Sequence, residues 1–268
     1  MPLCTKQDWL LVKKPSKSSH KGQNGRLLIL AGSKTYHGAL VLAIKAAVRF
    51  CDLVYVYTHE TNDALLAPLK LQTPNIIVLT PRTISQFFQS IDAFLAGPGW
   101  EQNPQNKMLL EKMLKTKKPI VIDATALRLL NLSSLHKNAL LTPHKGEFES
   151  LFKLEPTEQN AKAMAKKHNC TILLKGPTDC IASPVRTKLN KTGNAGMTKG
   201  GTGDVLAGLA AALISSGTTP YKAACAASYL NGYAADCLSK SMGTHFSSED
   251  LAQGLASCAK ELEAKKSK

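Results

Sequence analysis

No two cysteines of this 268-residue chain stand in a C-x-x-C spacing, and no zinc-finger pattern of cysteine and histidine occurs. The seven cysteines (Cys4, Cys51, Cys170, Cys180, Cys225, Cys237 and Cys258) are odd in number and sit mostly in apolar stretches, so they read as buried, reduced thiols of a reducing compartment. Aromatic residues are scarce at 6%, and the aromatic–basic signature of an RNA surface is missing. Acidic residues are also few: 19 Asp and Glu against 34 Lys and Arg leave a formal charge of +15. The cations are scattered, however, so the surplus suits a small anionic ligand such as a nucleotide better than a nucleic-acid partner. The N-terminal part holds only a short apolar run at 9–12, too brief for a signal core. No apolar stretch is long enough to cross a membrane. Linkers, repeats and low-complexity segments are absent. The expectation is a cytoplasmic, enzyme-sized single domain spanning 1–268, with 44% hydrophobic residues to build its core.

What is present is concentrated in the stretch NAGMTKGGTGDVLAGLAAAL at 194–213. Gly200, Gly201 and Gly203 crowd one turn, Asp204 follows, and an Ala/Leu-rich helical pattern begins. Glycines let backbone N–H groups converge without a Cβ in the way. A helix start adds unpaired N–H groups and the positive end of a dipole. Together these make an anion site, here an anion hole over Gly201, Thr202 and Gly203. Asp204 would repel an anion, yet it fits as the base on a group attacking a phosphate. Aspartate is also a common helix cap and glycine a common turn residue, so on this segment alone both readings stand.

The rest of the chain alternates strands and helices. Short apolar runs at 26–31, 53–57, 76–79, 91–95, 120–122, 139–141, 172–174 and 180–182 read as strands, the last two as a hairpin. Helical patterns occupy 6–12, 39–50, 104–115, 146–153, 158–168, 202–215, 220–239 and 248–264, with Ser247 and Asp250 as a capping box for the last. Residues 265–268 form a basic tail. Such alternation predicts an α/β fold, a central, mainly parallel sheet with helices on both faces. Ligands bind such sheets beyond the carboxyl ends of the strands. Five conspicuous loops follow predicted strands: GSKTYHGA at 32–39, GPG at 97–99, DATAL at 123–127, TPHKGE at 142–147 and KGPT at 175–178.

These blocks resemble the NAD(P)H-hydrate dehydratases of the ribokinase-like superfamily. The matching stretches are HKGQNGRLLILAGS at 20–33, YHGA at 36–39, AGPG at 96–99, VIDATAL at 121–127, LLTPHKGEFESL at 140–151, LLKG at 173–176 and GNAGMTKGGTGDVLAGLAAALISSG at 193–217. They keep the family's order and cover nearly the whole chain. The resemblance implies a three-layer α/β/α ribokinase-like fold. It also implies a lyase that restores hydrated NADH or NADPH, with ADP or ATP as phosphoryl donor, Mg²⁺ as cofactor and a homo-oligomeric assembly. It looks like the dehydratase alone, without the epimerase domain that some bacterial members carry. No metal ligand is identifiable. Asp204 would be the catalytic base. Ala39, Gly99, His144 and Asp204 would contact the hydrated dinucleotide, and Lys175, Gly176, Pro177, Thr178, Asp179 and Gly203 the nucleotide.

The chemistry requires kinase equipment. Hydroxide leaves a reduced nicotinamide ring poorly, whereas phosphate leaves well and the ring nitrogen lone pair can expel it. The chain departs from the family pattern at three places: Trp100-Glu101 where glycine usually follows GPG, Thr125 where a second acid is frequent, and Asp179 where threonine is favoured. A carboxylate at 179 facing phosphates would be unfavourable unless Mg²⁺ or solvent intervened. Other readings are a ribokinase-like kinase of a thiazole or pyrimidine alcohol, and a non-catalytic nucleotide sensor on the same fold. The first would lack the TPH-x-GE and HKG-x-x-G-R blocks, and the retained Asp204 speaks against the second.

Overall fold

Apolar runs interrupted by glycine and proline become the strands of one nine-stranded sheet in the computed structural model, which describes residues 1–58 and 63–264. The expected basic tail at 265–268 lies outside the described residues. The strands are β1 (Arg26–Leu30), β2 (Leu53–Tyr57), β3 (Ile76–Val78), β4 (Ala93–Ala96), β5 (Ile120–Ile122), β6 (Ala139–Leu141), β7 (Thr171–Leu174), β8 (Asp179–Ala182) and β9 (Thr187–Asn190). Their spatial order is β3-β2-β1-β4-β5-β6-β7-β8-β9. The first seven pair in parallel, while β8 and β9 are antiparallel, with Ile172 opposite Ala182 and Cys180 opposite Leu189. The expected β7–β8 hairpin and the mainly parallel sheet are both present. At the far edge Leu189 N donates to the Pro2 carbonyl (3.0 Å) and Cys4 N to the Leu189 carbonyl (2.7 Å), so the N-terminal segment covers β9.

The helices are α1 (Lys6–Leu10), α2 (His37–Ala47), α3 (Asp63–Gln72), α4 (Ile84–Phe87), α5 (Pro104–Lys115), α6 (Thr125–Leu129), α7 (Lys145–Phe152), α8 (Glu158–Lys167), α9 (Thr202–Ser215), α10 (Pro220–Met242) and α11 (Ser248–Ala264). Side-chain alternation sorts them into two layers. Leu27, Ile29, Val54 and Val56 face a core shared with α1, α2, α3, α9, α10 and α11. Leu28, Leu30, Tyr55 and Tyr57 face a second core built with α4, α5, α6, α7 and α8. Central strands covered on both faces must be apolar at every position, which is why they appear in the sequence as unbroken runs.

Some boundaries differ from the sequence pattern. Strand β4 begins at Ala93, two residues later than the apolar run, because the Asp92 carboxylate accepts the Arg26 N–H (2.9 Å). Helix α2 begins two residues early, at His37. Ser247 and Asp250 form the expected box: Ser247 N and Oγ donate to Asp250 Oδ2 (2.7 Å each), and Asp250 N returns a bond to Ser247 Oγ (3.1 Å). All seven cysteines are free, five of them buried. Among the described residues no helix is long and apolar enough to cross a membrane.

Between β1 and β4 the strand order reverses direction, leaving a crevice beyond the carboxyl ends of these strands. The loops after β1, β4, β5, β6 and β7 all lie at that sheet edge, because parallel strands end on the same side.

Candidate functional site

The start of α9 faces that edge. Gly201 is its N-cap, with φ +97°, and a Cβ there would collide with Leu42 of α2 and Ser248 of α11. Only glycine combines that backbone with that contact. The Thr202 hydroxyl donates back to the Met197 (2.8 Å) and Lys199 (3.2 Å) carbonyls. Asp236 of α10 holds the loop from below, accepting from Gly193 N (2.9 Å) and Asn194 Nδ2 (3.0 Å). The backbone N–H groups of Thr202, Gly203 and Asp204 are thereby left at the helix start, where no earlier carbonyl can reach them. Gly201→Ala is expected to lower stability by about 1–3 kcal/mol through backbone strain alone. A chemical denaturation midpoint equal to wild type would show that the loop adapts.

Beside this turn sits a compact charge cluster. Asp123 follows β5 and is 2% exposed. Its Oδ1 accepts from Thr142 Oγ1 (2.8 Å) and from Lys175 Nζ (2.9 Å). Lys175 Nζ also lies 3.9 Å from Glu147 Oε2. The place a Cβ of Gly203 would occupy is 3.4 Å from Lys175 Nζ, so the ammonium rests over the first turn of α9. Burial opposes the Lys175 charge, but Asp123, Glu147 and Asp204 outweigh it and hold the lysine above its ordinary range. Asp204 moves the other way from a typical carboxylate: burial first, then Asp123 and Glu147, push it up to about 7 against the attraction of Lys175. A carboxylate in that range can both accept a proton and drive its removal near neutral pH.

The other expected residues fall around this centre. Ala39 lies in the first turn of α2, and Gly99 follows β4. A Cβ on Gly99 (φ +65°) would lie 2.9 Å from the Ala39 Cβ, and Gly32 N donates to the Pro98 carbonyl (2.7 Å), so these two loops are in contact. His144 caps α7, its Nδ1 accepting from Glu147 N (3.2 Å) while Glu147 Oε2 accepts from His144 N (2.8 Å). This cap leaves the His144 side chain 58% exposed at the rim. Lys175 N donates to the Pro143 carbonyl (2.8 Å), which joins the His144 and Lys175 loops. Gly176, Pro177 and Thr178 form an exposed turn after β7.

Asp179 is placed differently from the sequence reading. It is the first residue of β8, and its carboxylate accepts from Gly176 N (3.0 Å) and from Ser228 Oγ of α10 (2.6 Å). It shapes the 175–178 turn from within, and burial pushes its carboxyl up. The other two departures meet each other: Trp100 is buried in the core, and Thr125 Oγ1 donates to its carbonyl (2.8 Å). Asp123 and Glu147 were not among the expected site residues, although both stand in the quoted blocks. The signal for Asp123 was an acid directly after a buried strand. Among the described residues no group of three or more His, Cys, Asp and Glu is arranged to hold a metal ion.

Comparisons with known proteins agree with this geometry. The profile of the NAD(P)H-hydrate dehydratase family matches residues 27–256. The ADP-dependent (S)-NAD(P)H-hydrate dehydratase of Cenarchaeum symbiosum is 35% identical over 266 residues, covering 91% of each chain. The bifunctional NAD(P)H-hydrate repair enzyme of Methanocaldococcus jannaschii is 34% identical over 94% of this chain and 52% of its own, so the chain spans about half of that relative. Among solved structures, the ADP/ATP-dependent NAD(P)H-hydrate dehydratase of Bacillus subtilis, co-crystallised with ATP and Mg²⁺, superposes with a TM-score of 0.84 at 26% identity, covering 97% and 98% of the two chains.

Proposed function

Since the chain belongs to the NAD(P)H-hydrate dehydratase family, we propose that it uses ADP or ATP to dehydrate the hydrated forms of NADH and NADPH. The observation that carries this reading is the meeting of three features at one sheet edge. They are the Asp204 carboxyl, which burial pushes up to about 7, the Lys175 ammonium, and the unpaired N–H groups of the first α9 turn.

The hydrated ring lies over the joined Ala39 and Gly99 loops, with His144 at the rim. Asp204 takes the proton of the ring hydroxyl as that oxygen attacks the terminal phosphoryl group. The free N–H groups of Thr202, Gly203 and Asp204, with the N-cap Gly201 beside them, and the Lys175 ammonium hold the charge spread over the transferring oxygens. AMP or ADP departs. The ring nitrogen lone pair then expels phosphate, a proton leaves the neighbouring ring carbon, and the double bond of the reduced nicotinamide is restored. The turn of Gly176, Pro177 and Thr178 lines the nucleotide side, its shape set by Asp179.

Mg²⁺ fits this site as an ion carried by the nucleotide. Asp123 and Glu147 are already bonded to Lys175, Thr142 and the α7 backbone, which leaves phosphate oxygens and water as its main ligands. Bound there, it would neutralise phosphate charge. We further propose a cytoplasmic homo-oligomer and one dehydratase domain over 1–268. The free thiols support a reducing compartment, and the shared sheet supports one domain. The positive charge serves anionic small molecules in this reading, with neither nucleic acid nor membrane as partner.

The test is recovery of reduced-nicotinamide absorbance when purified protein meets the hydrate and Mg²⁺, with ADP and ATP in parallel arms. The arms name the donor, and folded protein that restores nothing with either nucleotide overturns the proposal.

A further inference from the structure

We infer that Asp123 is a positioning residue of the reaction: its Oδ1 pins the Lys175 ammonium over the first turn of α9 and sets a fixed negative charge beside Asp204. The inference rests on the dehydratase reading for its kinetic consequence, though not for its geometry.

The geometry singles out Asp123 among the carboxylates near the lysine. Its bond to Lys175 Nζ is 2.9 Å, against 3.9 Å for Glu147. Glu147 is already committed to the α7 cap through Oε2. Asp123 Oδ1 takes a second bond from Thr142, whose side chain is also buried, so the carboxylate has little freedom to turn. The residue after it, Ala124, sits at φ +50° and ψ −125°, a conformation costly for alanine. That turn starts α6 and leaves the Asp123 carboxylate facing Lys175. Strain of this kind persists where the surrounding structure over-determines it.

The groups facing Asp204 from each packed element are Asp123 after β5, Glu147 on α7 and Lys175 after β7. Two of these are negative and one positive. Asp123 therefore acts twice. Through Lys175 it fixes a cation for the phosphoryl group, and by its own charge it keeps Asp204 from ionising at too low a pH.

Asp123→Asn keeps an oxygen for Thr142 and Lys175 but removes the charge. The acid limb of kcat is expected to move down by about one pH unit, because Asp204 loses a negative neighbour. Turnover at the optimum should fall by about 10–100-fold as the lysine loosens. Thr142→Val frees the carboxylate without discharging it, and should lower kcat while leaving the limb in place. Titration of the Asp204 carboxyl carbon by NMR reads the same shift without any turnover, so it separates this inference from the proposed reaction. Folded Asp123→Asn with wild-type kcat, limb and Asp204 titration overturns it. If that variant does not fold, Thr142→Val with unchanged kcat does so.

Discussion

Asp204→Asn is expected to lower turnover by on the order of 10²–10⁴ while the nucleotide still binds, because the substitution removes a proton acceptor and keeps the shape of the helix start. Isothermal titration with ADP and ATP measures the second half of that statement, and absorbance recovery the first. Wild-type activity should rise with pH through about 7, where Asp204 ionises. Stability should run the opposite way. The folded carboxyl lies near 7 against an ordinary value of 3.8, so between those limits the folded state binds more protons than the unfolded state. Unfolding free energy therefore falls as pH rises through that window, and Asp204→Asn should flatten the slope. Near-wild-type turnover in the variant would remove Asp204 from the base role. An unchanged slope would show that its burial does not burden the fold.

Lys175→Met is expected to give the largest loss of stability, about 3 kcal/mol, because it strands Asp123 and Glu147 without their shared cation. Removing one partner of a buried pair leaves a desolvated charge behind, a greater cost than the pair's net worth. The deficit should be pH-dependent in a known direction. With the ammonium gone, Asp204 loses the attraction that offsets its burial, and its ionised form is penalised most at alkaline pH. Urea midpoints of variant and wild type should differ most at about pH 8 and converge at about pH 5. Turnover should also fall, by on the order of 10²–10³, through loss of one preorganised charge at the phosphoryl group. A variant equal to wild type in midpoint at both pH values would mean that the cluster carries no net charge strain.

How far the sequence led depends on the element. Strands β1, β2 and β5 to β8 were legible because burial on both faces demands unbroken apolar runs. Helix α3 escaped because Pro68 lies inside it, and proline in a short pattern reads as a break. Strand β9, TKLN, escaped because an edge strand that is mostly half-exposed carries no apolar signature. At the site, the glycine turn and Asp204 were visible as chemistry. Asp179 was visible too, but its direction was not: whether a carboxylate faces a ligand or staples a turn depends on Ser228, 49 positions away. Asp123 shows the converse. Its partners Thr142 and Lys175 come from two other strands, and a linear reading has no means of bringing the three together.

Helix α9 explains why the family likeness runs so far past the phosphate turn. From Val205 to Ser215 every residue is buried, and a Cβ on Gly208 would collide with the backbone of Ala43 in α2. These later turns have no room to accept a larger side chain. From Gly200 onward the block therefore divides in two: a glycine turn with Asp204 at the sheet edge, then a stretch closed by volume.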